Sequence, residues 1–168
     1  MQAIFSVVAI VVAITVPVAT MLHDRKMRAA ERAARAENLL VTLAGDVFPL
    51  AGEVDRLAEK ISSHRDRPPI VGLGFDGTWF DGLKIQISQR LNDAMPLTLD
   101  MDAHLVDPLR QVVMGATAYN GFLENLKEAW PFDPAIWPEA MEGLERNRQM
   151  VKLYADALVR RYQDRAGD

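Results

Sequence analysis

The chain has 168 residues, a formal charge of −4 and no cysteine. That composition excludes disulfides, zinc–thiolate centres and iron–sulfur ligation. Between residues 75 and 145, twelve Asp and Glu face only Lys84, Arg90, Arg110 and Lys127. Such an acidic middle argues against nucleic acid as the partner, because phosphate binding requires a basic face.

Residues 3–22 run for twenty positions without a charge, and Arg25, Lys26, Arg28, Arg32 and Arg35 follow closely. Twenty helical residues at about 1.5 Å each span roughly 30 Å, the thickness of a bilayer's hydrocarbon core. The stretch therefore predicts a single N-terminal transmembrane helix. A cleaved signal peptide fits less well, since only Met1 and Gln2 precede the run and cleavage after Ala19 would place Pro17 at −3. The downstream bases predict an inner-membrane protein with its N-terminus outside and residues 23–168 cytoplasmic. Residues 23–36 form a basic juxtamembrane helix whose Arg25, Lys26, Arg28, Arg32 and Arg35 are candidate lipid headgroup contacts.

Residues 37–165 suffice for one helical domain. Leu40, Leu43, Val47, Leu50, Val54, Leu57 and Ile61 recur in alternating steps of three and four, the spacing that keeps one seam toward a partner helix. Pro49 predicts a kink, because its ring leaves the Gly45 carbonyl without a donor. The helix should end between Ser62 and Arg65. Residues 66–82 read as a Pro/Gly-rich loop. A short amphipathic helix is expected next, with Leu83, Ile87 and Leu91 on one face, although LKIQISQ also alternates like a strand. The following helix is capped by Asp102, or by Asp107 with Pro108 behind it. Its inward stripe is Leu105, Leu109, Val112, Ala116, Tyr119, Leu123, Leu126 and Trp130, widened by Val106, Val113 and Phe122. The last helix, from about Pro138 to Gln163, turns Met141, Leu144, Arg148, Val151, Ala155, Leu158 and Tyr162 inward. Arg148 breaks that apolar row, which predicts a snorkelling stem or an acidic partner. The fold class is all-α, a membrane helix followed by a small antiparallel bundle of three long helices and one short one, crossing at about 20°.

Candidate chemistry is sparse. His23, His64 and His104 are scattered, and the best cluster is Asp100, Asp102, His104 and Asp107. On a helix Asp100, His104 and Asp107 share a face that could hold a divalent cation. Acids stabilised by a helix N-terminus explain the same residues. Gly72-Leu73-Gly74 lacks the Lys-Ser/Thr of a phosphate loop, and Asp76 with Asp81 lacks the ligands of an EF-hand. Asp76-Gly77 and Asp81-Gly82 are turn formers. Glu139, Glu142 and Glu145 make a helix-spaced acidic row that reads as a solvated face, and no nucleophile elbow is present. No catalytic residue, cofactor or metal is expected.

The aromatic residues are better placed. Trp79, Phe80, Trp130, Phe132 and Trp137 lie at helix ends and connections, where they either plug the open end of the bundle or form a docking patch. A short N-tail, one span and a charged helix are similar to the stator b subunit of rotary ATP synthases. Pro68-Pro69, the glycines that follow and the aromatic connections depart from that subunit's long uninterrupted helix, and no family is assigned. The leading expectation is a membrane-tethered, non-catalytic interaction or scaffold module with a protein partner or a second copy of itself. The alternative is an exported ligand- or envelope-binding domain of reversed topology, including a phage-type lysis role.

Overall fold

The computed structural model describes residues 2–65, 78–130 and 133–166, with side chains described throughout except at 2–19, 134 and 165–166. Five α-helices and two 3-10 turns make up these residues, and no strand occurs among them. Helix α1 (Gln2–Ser63) is followed by α2 (Thr78–Asp81), α3 (Gln89–Ala94), a 3-10 turn (Pro96–Asp100), α4 (Ala103–Ala129), a second 3-10 turn (Pro134–Ile136) and α5 (Trp137–Ala166).

Among the described residues no helix is long and apolar enough to cross a membrane. The expected transmembrane helix, and the membrane-anchored, single-pass architecture built on it, are therefore not supported by the described residues. Physically, residues 3–22 do not form a helix of their own. They belong to one 62-residue helix, roughly 93 Å long at 1.5 Å per residue. From Thr20 onward its described length carries Asp24, Arg25, Lys26, Arg28, Glu31, Arg32 and Arg35. The side chains of residues 3–19 lie outside the described residues. The inside–outside orientation and the headgroup contacts read from the basic flank presuppose such a span.

The body is a bundle of α1, α4 and α5, in which α5 packs against both of the others. The three sequence stripes meet in its centre. Leu40, Leu43, Val47, Leu50, Val54, Leu57 and Ile61 of α1 are buried, as are Leu109, Val112, Ala116, Tyr119 and Leu123 of α4 and Met141, Leu144, Val151, Ala155 and Leu158 of α5. A fully buried Leu or Val contributes roughly 1.5–3 kcal/mol, so the seams rather than helix propensity hold the bundle. Close approach of α4 and α5 depends on glycine. A Cβ at Gly143 would sit 2.9 Å from Phe122 Cζ, and one at Gly115 would sit 3.2 Å from Val151 Cγ2.

Helix ends follow local chemistry. Of the two possible caps, Asp102 starts α4, its carboxylate accepting from the His104 N–H at 3.0 Å. Pro108 lies inside α4 and leaves the His104 carbonyl without its usual donor. The Arg161 guanidinium of α5 supplies one at 3.3 Å, tying the end of α5 to the start of α4. Helix α1 continues through Pro49.

The stretch after α2 differs from the expected helix. Residues 84–88 are not helical and α3 begins only at Gln89, with Ser88, itself extended, as its cap. Leu83 and Ile85 are buried and Ile87 half-buried, which is the period-two pattern of a strand without a partner strand. A side chain stands in for that partner. Asn120 of α4 accepts from the Ile85 N–H and donates to the Ile85 carbonyl, both at 2.9 Å. Glu53 of α1 takes the next N–H, that of Gln86, at 3.0 Å. A primary amide offers the same donor–acceptor pair as a peptide, so these two residues satisfy the segment from helices on either side.

Candidate functional site

The aromatic cluster is assembled by three chain segments at one end of the bundle. Asp81 at the end of α2 is gripped by Lys127 of α4, whose Nζ lies 2.8 Å from both carboxylate oxygens. Lys84 adds a contact at 3.1 Å and bridges on to Glu124 at 2.5 Å. Hydrogen bonds from Lys127 and then Lys84 hold the Asp81 carboxyl below the usual carboxylate range. Hydrogen bonds to Glu124 and Asp81 push the Lys84 ammonium up. Lys60 Nζ donates to the Gly82 carbonyl at 3.0 Å, fastening the same turn to α1.

This frame brings four of the five predicted aromatics together. Ring centroids lie 5.2 Å apart for Trp79–Phe80, 5.6 Å for Trp79–Trp137, 5.9 Å for Phe80–Trp130 and 5.7 Å for Trp130–Trp137. The tilted and edge-on geometries are those aromatic quadrupoles favour. His64, past the end of α1, joins at 5.0 Å from Trp79. Phe80 and Trp137 are fully buried, whereas Trp79 and Trp130 are half-buried. Phe80 and Trp137 thus offer no surface to a partner in this conformation, and Trp79 and Trp130 offer an edge. Phe132 lies outside the described residues.

Beside this end, a groove of about 660 Å³ lies between α1 and α5. Ala58, Ile61 and Met141 form its apolar part, and Glu59, Arg65 and Arg146 contribute charge. Glu145 closes one side, but its carboxylate is already engaged. Arg148 Nε and Nη2 donate to its two oxygens at 2.7 Å each, and Nη1 donates to the Val54 carbonyl of α1 at 3.1 Å. Arg148 as a whole is 5% exposed. Arg148 holds the Glu145 carboxyl below its ordinary range, and Glu145 raises the guanidinium further. Arg148 is therefore the acid-paired member of the α5 stripe. Glu145 is correspondingly not part of a solvated row, while Glu142 pairs with Arg146 at 3.2 Å on the surface.

Tyr119, whose ring belongs to the core, carries a hydroxyl with no hydrogen-bond partner. Burial pushes its phenol well above the usual tyrosine range. The sequence gives no signal for that orphan, because a tyrosine on an apolar stripe reads as an ordinary core position.

The acidic cluster around His104 dissolves into structural tasks. Asp102 caps α4, and Asp107 pairs with Arg110 at 3.1 Å. Arg110 also donates through Nε to Thr98 Oγ1 at 2.8 Å and through Nη2 to the Thr98 carbonyl, holding the 3-10 turn against α4. No group of three or more His, Asp or Glu able to hold a metal occurs among the described residues. The motifs at Gly72, Gly74 and Asp76 lie outside the described residues.

The remaining feature is the exposed part of α1. Residues 20–35 bury no side chain; among the described side chains of the helix the first buried one is Ala36. The Tyr162 hydroxyl donates to the Leu40 carbonyl at 2.6 Å, so α5 ends where α1 emerges. Arg25, Lys26, Arg28, Arg32 and Arg35 are all exposed on this rod, and Arg35 pairs with Glu31 at 2.6 Å. No protein-family model, curated protein or solved structure matches this chain.

Proposed function

We propose that this chain is a helical protein-interaction module whose body of α1, α4 and α5 displays the N-terminal part of α1 as its working surface. The observation that carries this reading is the exposure of residues 20–35, about 24 Å of helix by the standard rise, with every side chain outside the bundle core. A helix that packs on nothing is marginal in water below roughly 12–15 residues. Long solvent-exposed helices accordingly persist where they bridge or bind.

Charge supports the same division. Residues 1–36 hold five bases and two acids, whereas residues 37–168 hold fourteen bases and twenty-one acids. The rod is net positive and the body net negative, an arrangement that steers oppositely charged surfaces together.

The test is site-specific photocrosslinking of the full chain in cells of its source. A crosslinker replacing exposed Met27 on the rod should give discrete protein adducts, and one replacing exposed Glu128 on the body should not. Equal labelling from both positions, or none from Met27, would remove the support for the rod as an interaction surface.

A further inference from the structure

We infer that the partner of the α1 rod is a second copy of this chain, docked antiparallel along the outer face of α1. This rests on the interaction reading above and names its occupant. The helix carries two apolar stripes. The inner one, from Leu40 to Ile61, is buried in the bundle. The outer one is Met27, Ala34, Val41 and Phe48, in steps of seven residues. Met27 is 58% exposed, Val41 61% and Phe48 43%, and Ala34 is exposed too; Phe48 marks the border with the bundle, its ring 5.7 Å from that of Tyr162 in α5. A strict seven-residue repeat is the period of a helix that follows a partner helix.

Two observations select a second copy and its direction. The first is self-complementarity. A two-fold axis between residues 37 and 38 sets Met27 against Phe48 of the second copy and Ala34 against its Val41, with the reverse pairs following by symmetry. Met27 and Phe48 pair at the two ends and Ala34 and Val41 nearer the centre, each contact occurring twice, as an isologous interface requires. The same axis sets Gly45, which has open space around its Cβ position, across from Ala30, so the helices can approach closely there. The second is charge. A parallel pair would stack Arg25, Lys26, Arg28, Arg32 and Arg35 on their own copies. An antiparallel pair lays each net positive rod along the net negative body of the other chain, which attracts.

The absence of native cysteine makes the test clean. Full-length Met27→Cys and Phe48→Cys proteins, and separately Ala34→Cys and Val41→Cys, are oxidised alone and as mixtures. Mixed disulfides are expected in the mixtures, with little dimer from either partner alone. Sedimentation should show a dimer, and Val41→Asp should weaken it at least tenfold while leaving the helical circular-dichroism signal intact. A monomer at all concentrations, or Met27→Cys dimerising efficiently by itself, would overturn the inference. A monomer that still forms Met27 adducts with a different protein would sink the self-pairing and leave the interaction reading standing.

Discussion

Trp137 donates its indole N–H to the carbonyl of His64 at 2.7 Å. This one bond joins the first residue of α5 to the chain just past the end of α1, beneath a fully buried ring that also meets Trp79, Phe80 and Trp130. The aromatic cluster is thus a joint between helices first and a surface second.

Replacement of that ring should unfold the joint. Trp137→Ala is expected to cost about 3–5 kcal/mol, the range for deleting a large buried aromatic side chain. Trp137→Phe keeps most of the packing and loses the hydrogen bond, so it should cost about 1–3 kcal/mol. Chemical denaturation of both variants checks the order. An unchanged midpoint in Trp137→Ala would show that the cluster does not hold the helices.

Asn120 should matter more than its place on α4 suggests. Asn120→Ala strands both the N–H and the carbonyl of buried Ile85, and a loss of about 2–4 kcal/mol is expected for two unsatisfied backbone groups. Asn120→Asp keeps an acceptor for the N–H but sets a carboxylate against the carbonyl, so it should not rescue. Faster amide exchange at Ile85 in Asn120→Ala would be the local signature.

Acid should loosen the α1–α5 contact. The Glu145 carboxyl lies below its ordinary value of 4.5 in the folded protein, chiefly through Arg148. A depressed pKa gives stability that is present above the unfolded value and is lost as pH falls through the folded one. Stability should therefore decline below about pH 4.5. Glu145→Gln should cost about 2–4 kcal/mol at pH 7, because it leaves a buried guanidinium without its counter-charge, and should flatten that acid limb. Denaturation midpoints of both proteins from pH 3 to pH 7 decide this.

Tyr119→Phe should be neutral or stabilising, by up to about 1–2 kcal/mol, since it removes a buried hydroxyl that has no partner. Its sign also appears at high pH. A phenol with a raised pKa gives stability that is present below the unfolded value near 10 and lost as pH rises toward the folded one. The phenylalanine variant should resist alkali better than the parent, measured by thermal melts between pH 8 and pH 11.

By itself the sequence determined the three long helices and their inward faces. An apolar residue every three or four positions can be buried only by a helix turning one side to a core, and Leu40 to Ile61 did so without exception. It also marked Arg148 as anomalous. What it could not determine were relations that periodicity does not encode. Asn120 meets Ile85 across 35 residues, and such a pairing is invisible until the helix carrying one lies beside the strand-like segment carrying the other. The same ambiguity misled the reading of residues 83–91, where an alternating pattern and a helical one share Leu83, Ile87 and Leu91. Hydrophobicity counted along residues 3–22 suggested a separate membrane helix, whereas the fold makes that stretch the beginning of a single long helix with charged residues farther along. Only tertiary structure decided which elements cover the inward face of α1, because periodicity marks a helix's buried side without naming its neighbours. Helix α5 closes over that face, Arg148 reaching the Val54 carbonyl and Tyr162 the Leu40 carbonyl. It leaves Met27 and Val41 outside with Phe48 at the border, its ring 5.7 Å from that of Tyr162.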